Sequence, residues 1–193
     1  MAEAQPRRRR QRPEARQSIV AILDAAIRTL AGRPDASVDE IARAAGVSRQ
    51  TVYAHFPSRE ALIDAVTGQA AAEFTVLLDG LDLDHAPPAR ALTSLLEAGW
   101  QIAARYPFLW LQPAVDPGKD AERHAPVLDR MLDIIRRGQA SGDLDASVPA
   151  HWLLTASLAL GRAAEDEVQA GRMSIEQATR AMHQSVLRLT GAG

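Results

Sequence analysis

Apolar side chains recur at helical steps along almost the whole chain. Ile19, Ile22, Leu23, Ala26 and Leu30 fall three and four residues apart and draw one stripe. They predict a first helix from Glu14, ended by Gly32 and Pro34. Ser37-Val38-Asp39-Glu40 has the form of a capping box, in which Ser37 caps the first amides and Glu40 reaches back. A short second helix then carries Ile41 and Ala44/Ala45 inward and stops at Gly46. Gly46-Val47-Ser48 reads as a tight turn, with Ser48 capping a third helix that runs from Arg49 to Phe56. Pro57 breaks it, and Ser58 caps a long fourth helix from Arg59 to Leu81.

Two short helices joined by a three-residue turn have the layout of a helix-turn-helix. At 100° per residue, Val52 and Phe56 fall together on the core side of the third helix. Arg49, Gln50 and Tyr53 fall on the opposite side, flanked by Thr51 and His55. Arg and Gln can make paired hydrogen bonds to base edges, and Tyr, Thr and His can donate to phosphate oxygens. Each has a plainer use: Arg49 and Gln50 as solvated surface, Tyr53 as packing, His55 as a cation at a helix end, and Ser37 and Ser48 as caps.

Residues 37–66, SVDEIARAAGVSRQTVYAHFPSREALIDAV, resemble the DNA-binding segment of the TetR family of bacterial transcriptional regulators. The resemblance rests on Ile41-Ala42, Ala45-Gly46-Val47-Ser48, Thr51-Val52-Tyr53, His55-Phe56 and Ser58-Arg59-Glu60-Ala61-Leu62. Arg59 stands where the family usually has Lys, and either cation can neutralise a phosphate. The resemblance implies an all-α fold: an N-terminal three-helix DNA-binding domain, then a C-terminal helical domain for effector binding and dimerisation. It also implies a homodimer on a double-stranded, two-fold symmetric operator. Ser37, Ser48, Arg49, Gln50, Thr51, Tyr53, His55 and Arg59 are the candidate DNA contacts.

Beyond residue 81, Asp82 to Pro88 reads as a linker. A fifth helix follows from Ala89 to Arg105, then the short apolar segment Phe108-Leu109-Trp110-Leu111 and a loop over 113–120. Further helices are expected from Ala121 to Ala140, Pro149 to Ala170 and Ser174 to Leu189. The last two carry Leu153, Ala156, Leu160 and Ala163/Ala164, and Ile175, Ala178, Met182, Val186 and Leu189, at spacings that permit close helix pairing. That face serves either an intrachain core or, as the resemblance implies, the dimer interface. An effector pocket needs apolar walls and a few placed polar groups, which Trp100, Phe108, Trp110, Gln112, His124 and Met131 can supply. Their apolar lean points to an aromatic or hydrophobic ligand.

Composition alters this picture in a few places. The 193 residues carry a net charge of −2, which argues against a chain coated in basic charge. The distribution is uneven, at +4 over residues 1–60 and −6 over 61–193. A basic first third suits a polyanion, and an acidic remainder confines that contact to one end. With 21 arginines against one lysine, Lys119, and no asparagine, the chain has a coding bias that weakens arginine richness as a signal. The run Pro6 to Pro13 is expected as a disordered basic tail, either a solvated end or an arm reaching phosphates or the minor groove. Residues 1–13, 14–60 and 61–193 are thus expected as tail, DNA-binding domain and effector domain.

Cysteine is absent, which excludes disulfides, thiolate-zinc sites and thiol catalysis. No apolar run nears the roughly 18 residues of a membrane span, and no apolar segment follows the N-terminal arginines as in a secretory signal. A cytoplasmic protein without membrane contact, cofactor or metal is expected. Glycine-rich phosphate loops, His-Glu-x-x-His and Gly-x-Ser-x-Gly are missing, and Asp116, Asp120, Glu122 and His124 lack metal-ligand spacing, so no catalytic residue is expected. The competing reading is a non-specific architectural DNA binder, or a helical interaction module with no effector response.

Overall fold

Alanine, leucine and arginine, all good helix formers, dominate the chain between its glycine and proline punctuation. A computed structural model describes residues 7–111 and 116–191, the side chains of 7–14, 110, 111, 117 and 120 excepted. Among the described residues there are eight α-helices, one 3-10 helix and no strand. The helices are α1 (Arg7–Gly32), α2 (Val38–Ala45), α3 (Arg49–His55), α4 (Arg59–Asp79), α5 (Pro88–Arg105), α6 (Pro117–Ser141), α7 (Ala150–Gln169) and α8 (Ile175–Leu189), with the 3-10 helix at Pro107–Leu111.

Two compact units emerge. One comprises Met1–Ala70 with Arg105–Asp116, the other Ala71–Ala104 with Pro117–Gly193. The expected division after residue 60 therefore falls inside α4, and the short apolar segment after α5 belongs with the first unit.

In the first unit α1 packs on α2, α3 and the 3-10 helix. Its buried stripe is Ile22, Ala25, Ala26, Ile27 and Leu30. Ile41 and Ala42 of α2, Val52 of α3, Leu62 and Val66 of α4, and Tyr106 and Phe108 are buried in the same unit. On α2 the inward residues are Val38, Ile41 and Ala42, whereas Ala44 is exposed. A helix with Val38 and Ile41 inward turns position 44 away from that side and Ala42 towards it.

The second unit builds its core from Leu78, Leu92, Leu95, Leu96, Met131, Ile134, Ile135, Leu153, Ala164, Ala178, Met182 and Val186. Helix α7 packs on α6 and α8. Leu153, Ala164, Ala178, Met182 and Val186 thus do the intrachain work that the spacing had left open, while Ile175 is exposed. Side chains also pin the connections. Arg137 donates to the carbonyls of Leu83 (2.6 Å), Ala86 (3.2 Å) and Asp84. The Gln139 amide donates to Asp145 O at 2.8 Å and Val148 O at 2.9 Å.

Two boundaries correct the sequence expectations. Helix α1 starts at Arg7, so the basic run expected as a disordered tail is helical from there on. Arg, Gln, Glu and Ala all favour helix, and a helix already formed extends at little cost. Helix α6 starts at Pro117, inside the expected 113–120 loop, with proline tolerated in a first turn. Helix α4 is the one described helix long and apolar enough, by length and mean hydropathy, to cross a membrane. Its alanines raise the average although Asp64 and Glu73 interrupt the run, and Leu62, Ile63, Val66, Ala70 and Leu78 are buried.

Candidate nucleic-acid interface

The helix-turn-helix is held by caps at each end of its parts. Ser37 Oγ accepts the Glu40 amide at 3.3 Å and donates to Glu40 Oε2 at 3.0 Å, while the Ser37 amide donates to Oε2 at 2.8 Å. The other carboxylate oxygen takes the Arg33 guanidinium. The Arg33 hydrogen bond, then those from Ser37, hold the Glu40 carboxyl at about 2, well below the usual carboxylate range. Helix α2 ends at Gly46 with φ 69°, a left-handed conformation that glycine adopts without strain. The Val47 amide then closes on Ala42 O at 3.0 Å, which turns the chain into α3.

Ser48 caps α3, its Oγ accepting the Thr51 amide at 3.1 Å and lying 2.8 Å from Thr51 Oγ1. Val52 and Phe56 face the core, as projected. Arg49 and Gln50 are exposed, and Thr51, Tyr53 and His55 are half-buried. Arg49 Nη1 donates to Asp39 Oδ2 of α2 at 2.9 Å, and its guanidinium carbon lies 5.3 Å from the Tyr53 ring centre. A hydrogen bond with Tyr53, then the charge of Asp39, raise the Arg49 pKa above its ordinary value. Arg59 donates to Pro34 O at 2.8 Å and so ties α4 to the α1–α2 connection. The fold thus gathers Ser48, Arg49, Gln50, Thr51, Tyr53 and His55 on one short helix, while Ser37 and Arg59 make intrachain bonds beside it.

Asp39 and Arg33 were missed at the level of sequence. Each pairs with a residue ten or seven positions away, across a helix end, where periodicity carries no signal.

The six ligand candidates divide. Phe108 is fully buried and belongs to the first unit. Trp100 and Met131 share the apolar core of the second, and His124 is exposed on α6. Gln112 and the side chain of Trp110 lie outside the described residues. A cleft of about 300 Å³ in the first unit is lined by Asp24, Ile27, Arg28, Ala31 and Arg105, none of them a candidate. Among the described residues no group of three His, Asp or Glu is placed to hold a metal ion.

In the second unit His183 Nδ1 lies 3.6 Å from Glu97 Oε1. Burial, opposed by Arg162 and aided by Asp166, pushes the Glu165 carboxyl on α7 up to about 7. Since the folded state holds this proton more tightly than the unfolded chain, the stabilisation is complete below the ordinary carboxylate range. It is lost as pH rises through about 7. Glu165→Gln is therefore expected to raise the melting temperature at about pH 8 and leave it nearly unchanged at about pH 4, as read by thermal melts across that range.

Residues 22–66 match the family model described as bacterial regulatory proteins, tetR family. The chain is 32% identical over 95 residues to the HTH-type transcriptional repressor LfrR of Mycolicibacterium smegmatis, covering 49% of this chain and 50% of LfrR. It therefore spans about half the length of that relative. It is 32% identical over 100 residues to TtgW of Pseudomonas putida, an uncharacterized HTH-type transcriptional regulator, covering 43% of this chain and 75% of TtgW. The crystal structure of the TetR-like regulator LfrR from Mycobacterium smegmatis in complex with proflavine superposes with a TM-score of 0.70 at 27% identity. The match covers 88% of this chain and 95% of that one.

Proposed function

The chain belongs to the TetR family of bacterial regulatory proteins, and on that premise we propose a DNA-binding transcriptional repressor, released from a palindromic operator by a small apolar or aromatic effector. The observation that carries this reading is the exposed face of α3. Val52 and Phe56 occupy its core side, which leaves Arg49 and Gln50 in solvent on a two-turn helix that fits a major groove. Gln50 and Arg49 read base edges. Tyr53, Thr51, His55 and Ser48 meet phosphates, and Ser37 and Arg59 border the same contact.

Two copies pair through α7 and α8, whose outer surface includes the exposed Trp152 (60%) and Ile175 (51%). Pairing of this kind sets two recognition helices about one turn of DNA apart, roughly 34–36 Å. The effector occupies the second unit, with Trp100 and Met131 among its apolar walls and His124 as a polar group. LfrR in complex with proflavine supports giving this chain a small-molecule effector as well. Binding of the effector favours a dimer whose helices no longer fit both grooves.

The test separates base reading from backbone contact. Tyr53→Ala is expected to weaken binding about equally on a duplex selected by the protein and on a scrambled duplex. Gln50→Ala is expected to change which bases are preferred, by roughly 1–3 kcal/mol of discrimination at the affected position. Equal losses on both duplexes for Gln50→Ala, measured by fluorescence anisotropy at fixed salt, would remove its base-reading role.

A further inference from the structure

Asp39 sits in the first turn of α2, off the face of α3 that reads bases, yet it grips the first residue of that helix. The left-handed turn at Gly46 folds α3 back so that positions 39 and 49 meet. Asp39 Oδ2 takes one guanidinium hydrogen at 2.9 Å, and the Tyr53 ring lies 5.3 Å from the guanidinium carbon. Arg49 is thus confined by two groups from two elements. Both members of the ion pair are open to solvent, 62% and 48% exposed, where such pairs add little to folding stability.

The pair has two consequences for a polyanion. An arginine without partners samples many rotamers and must be ordered on binding, whereas this one is ordered beforehand, with its remaining N–H donors held in a fixed plane. A free arginine also attracts any phosphate, and the carboxylate cancels much of that sequence-blind attraction.

We infer that Asp39 is a specificity-determining residue of the DNA interface, one that orients Arg49 towards a base edge and suppresses its attraction to phosphates in general. Asp39 is a positioning residue, because it acts through Arg49 and itself touches no base. The inference rests on the DNA-reading function proposed above.

The test uses the full-length protein, a duplex it selects from a random-sequence pool, and a scrambled duplex of equal length and composition. Asp39→Asn keeps the shape and removes the charge. It is expected to strengthen binding to the scrambled duplex and to steepen the log–log salt dependence by about one. The preference for the selected duplex is expected to narrow roughly tenfold, within the range of one base-edge contact. Asp39→Glu is expected to recover most of that preference. In an Arg49→Gln background, Asp39→Asn is expected to narrow it no further. That cycle separates positioning from mere loss of an acidic group near DNA, and it stays decisive if Asp39→Asn lowers the melting temperature. An unchanged preference and salt slope in Asp39→Asn would overturn the inference alone, as would the same tenfold narrowing with Arg49 already replaced. A wild-type protein that fails to distinguish the two duplexes would overturn the DNA-reading function, and the inference with it.

Discussion

Phe108→Ala is expected to destabilise the protein by about 3–5 kcal/mol, the usual cost of emptying a buried aromatic position. The side chain is 0% exposed, and its 3-10 helix packs on α1. Removing it deletes the ring's transfer energy and leaves a hole that the surrounding helices fill only in part. Chemical denaturation measures the loss directly, and for a chain of this size the melting temperature is expected to fall by on the order of 10 °C. Since α1 also backs α2 and α3, DNA binding is expected to decline near the melting transition and to survive well below it. Its sequence placed Phe108 among the effector-pocket residues, and the same variant separates the two roles. A normal melt with an altered response to an effector would return Phe108 to the pocket wall.

Gly138→Ala is expected to cost about 1–3 kcal/mol by overpacking. A Cβ at this position on α6 would stand 2.5 Å from both Cγ and Cδ1 of Leu144 and 2.9 Å from Cβ of Pro88. The near atoms belong to a branched carbon and a proline ring, neither of which can swing aside as the tip of a long side chain does. Leu144 lies in the connection that Gln139 holds by two backbone carbonyls, so the loop yields only by breaking those bonds. A drop in melting temperature, with the helical circular dichroism retained at low temperature, is the expected signature. By contrast, Gly32→Ala meets nothing within 4 Å and serves as the control.

What could be read along the chain was whatever depends on neighbours in sequence. The caps at Ser37 and Ser48 and the left-handed Gly46 are local chemistry, and each stands where the residue types demand. Val52 and Phe56 followed from the turn of the helix alone. Boundaries fared worse where opposing tendencies met. The arginine run reads as a charged tail by composition but as helix by propensity, and propensity prevails from Arg7. The assignment of Phe108 to the first unit depends on a contact with α1, some eighty residues earlier, which no local pattern encodes. The Arg33–Glu40 and Arg49–Asp39 pairs depend on rotamers chosen across helix ends. They are also what alters the candidate interface most, because they decide which donors are already engaged.

The cap of α3 has a consequence in the count of hydrogens. Ser48 and Thr51 present two hydroxyls at the start of this helix, and their oxygens lie 2.8 Å apart. One of the two protons must lie between them, whichever oxygen donates. Only the second is free to point outward. Two residues that look like separate donors on the page of the sequence therefore offer a polyanion a single hydroxyl hydrogen, shared between two alternative orientations of the same small circuit.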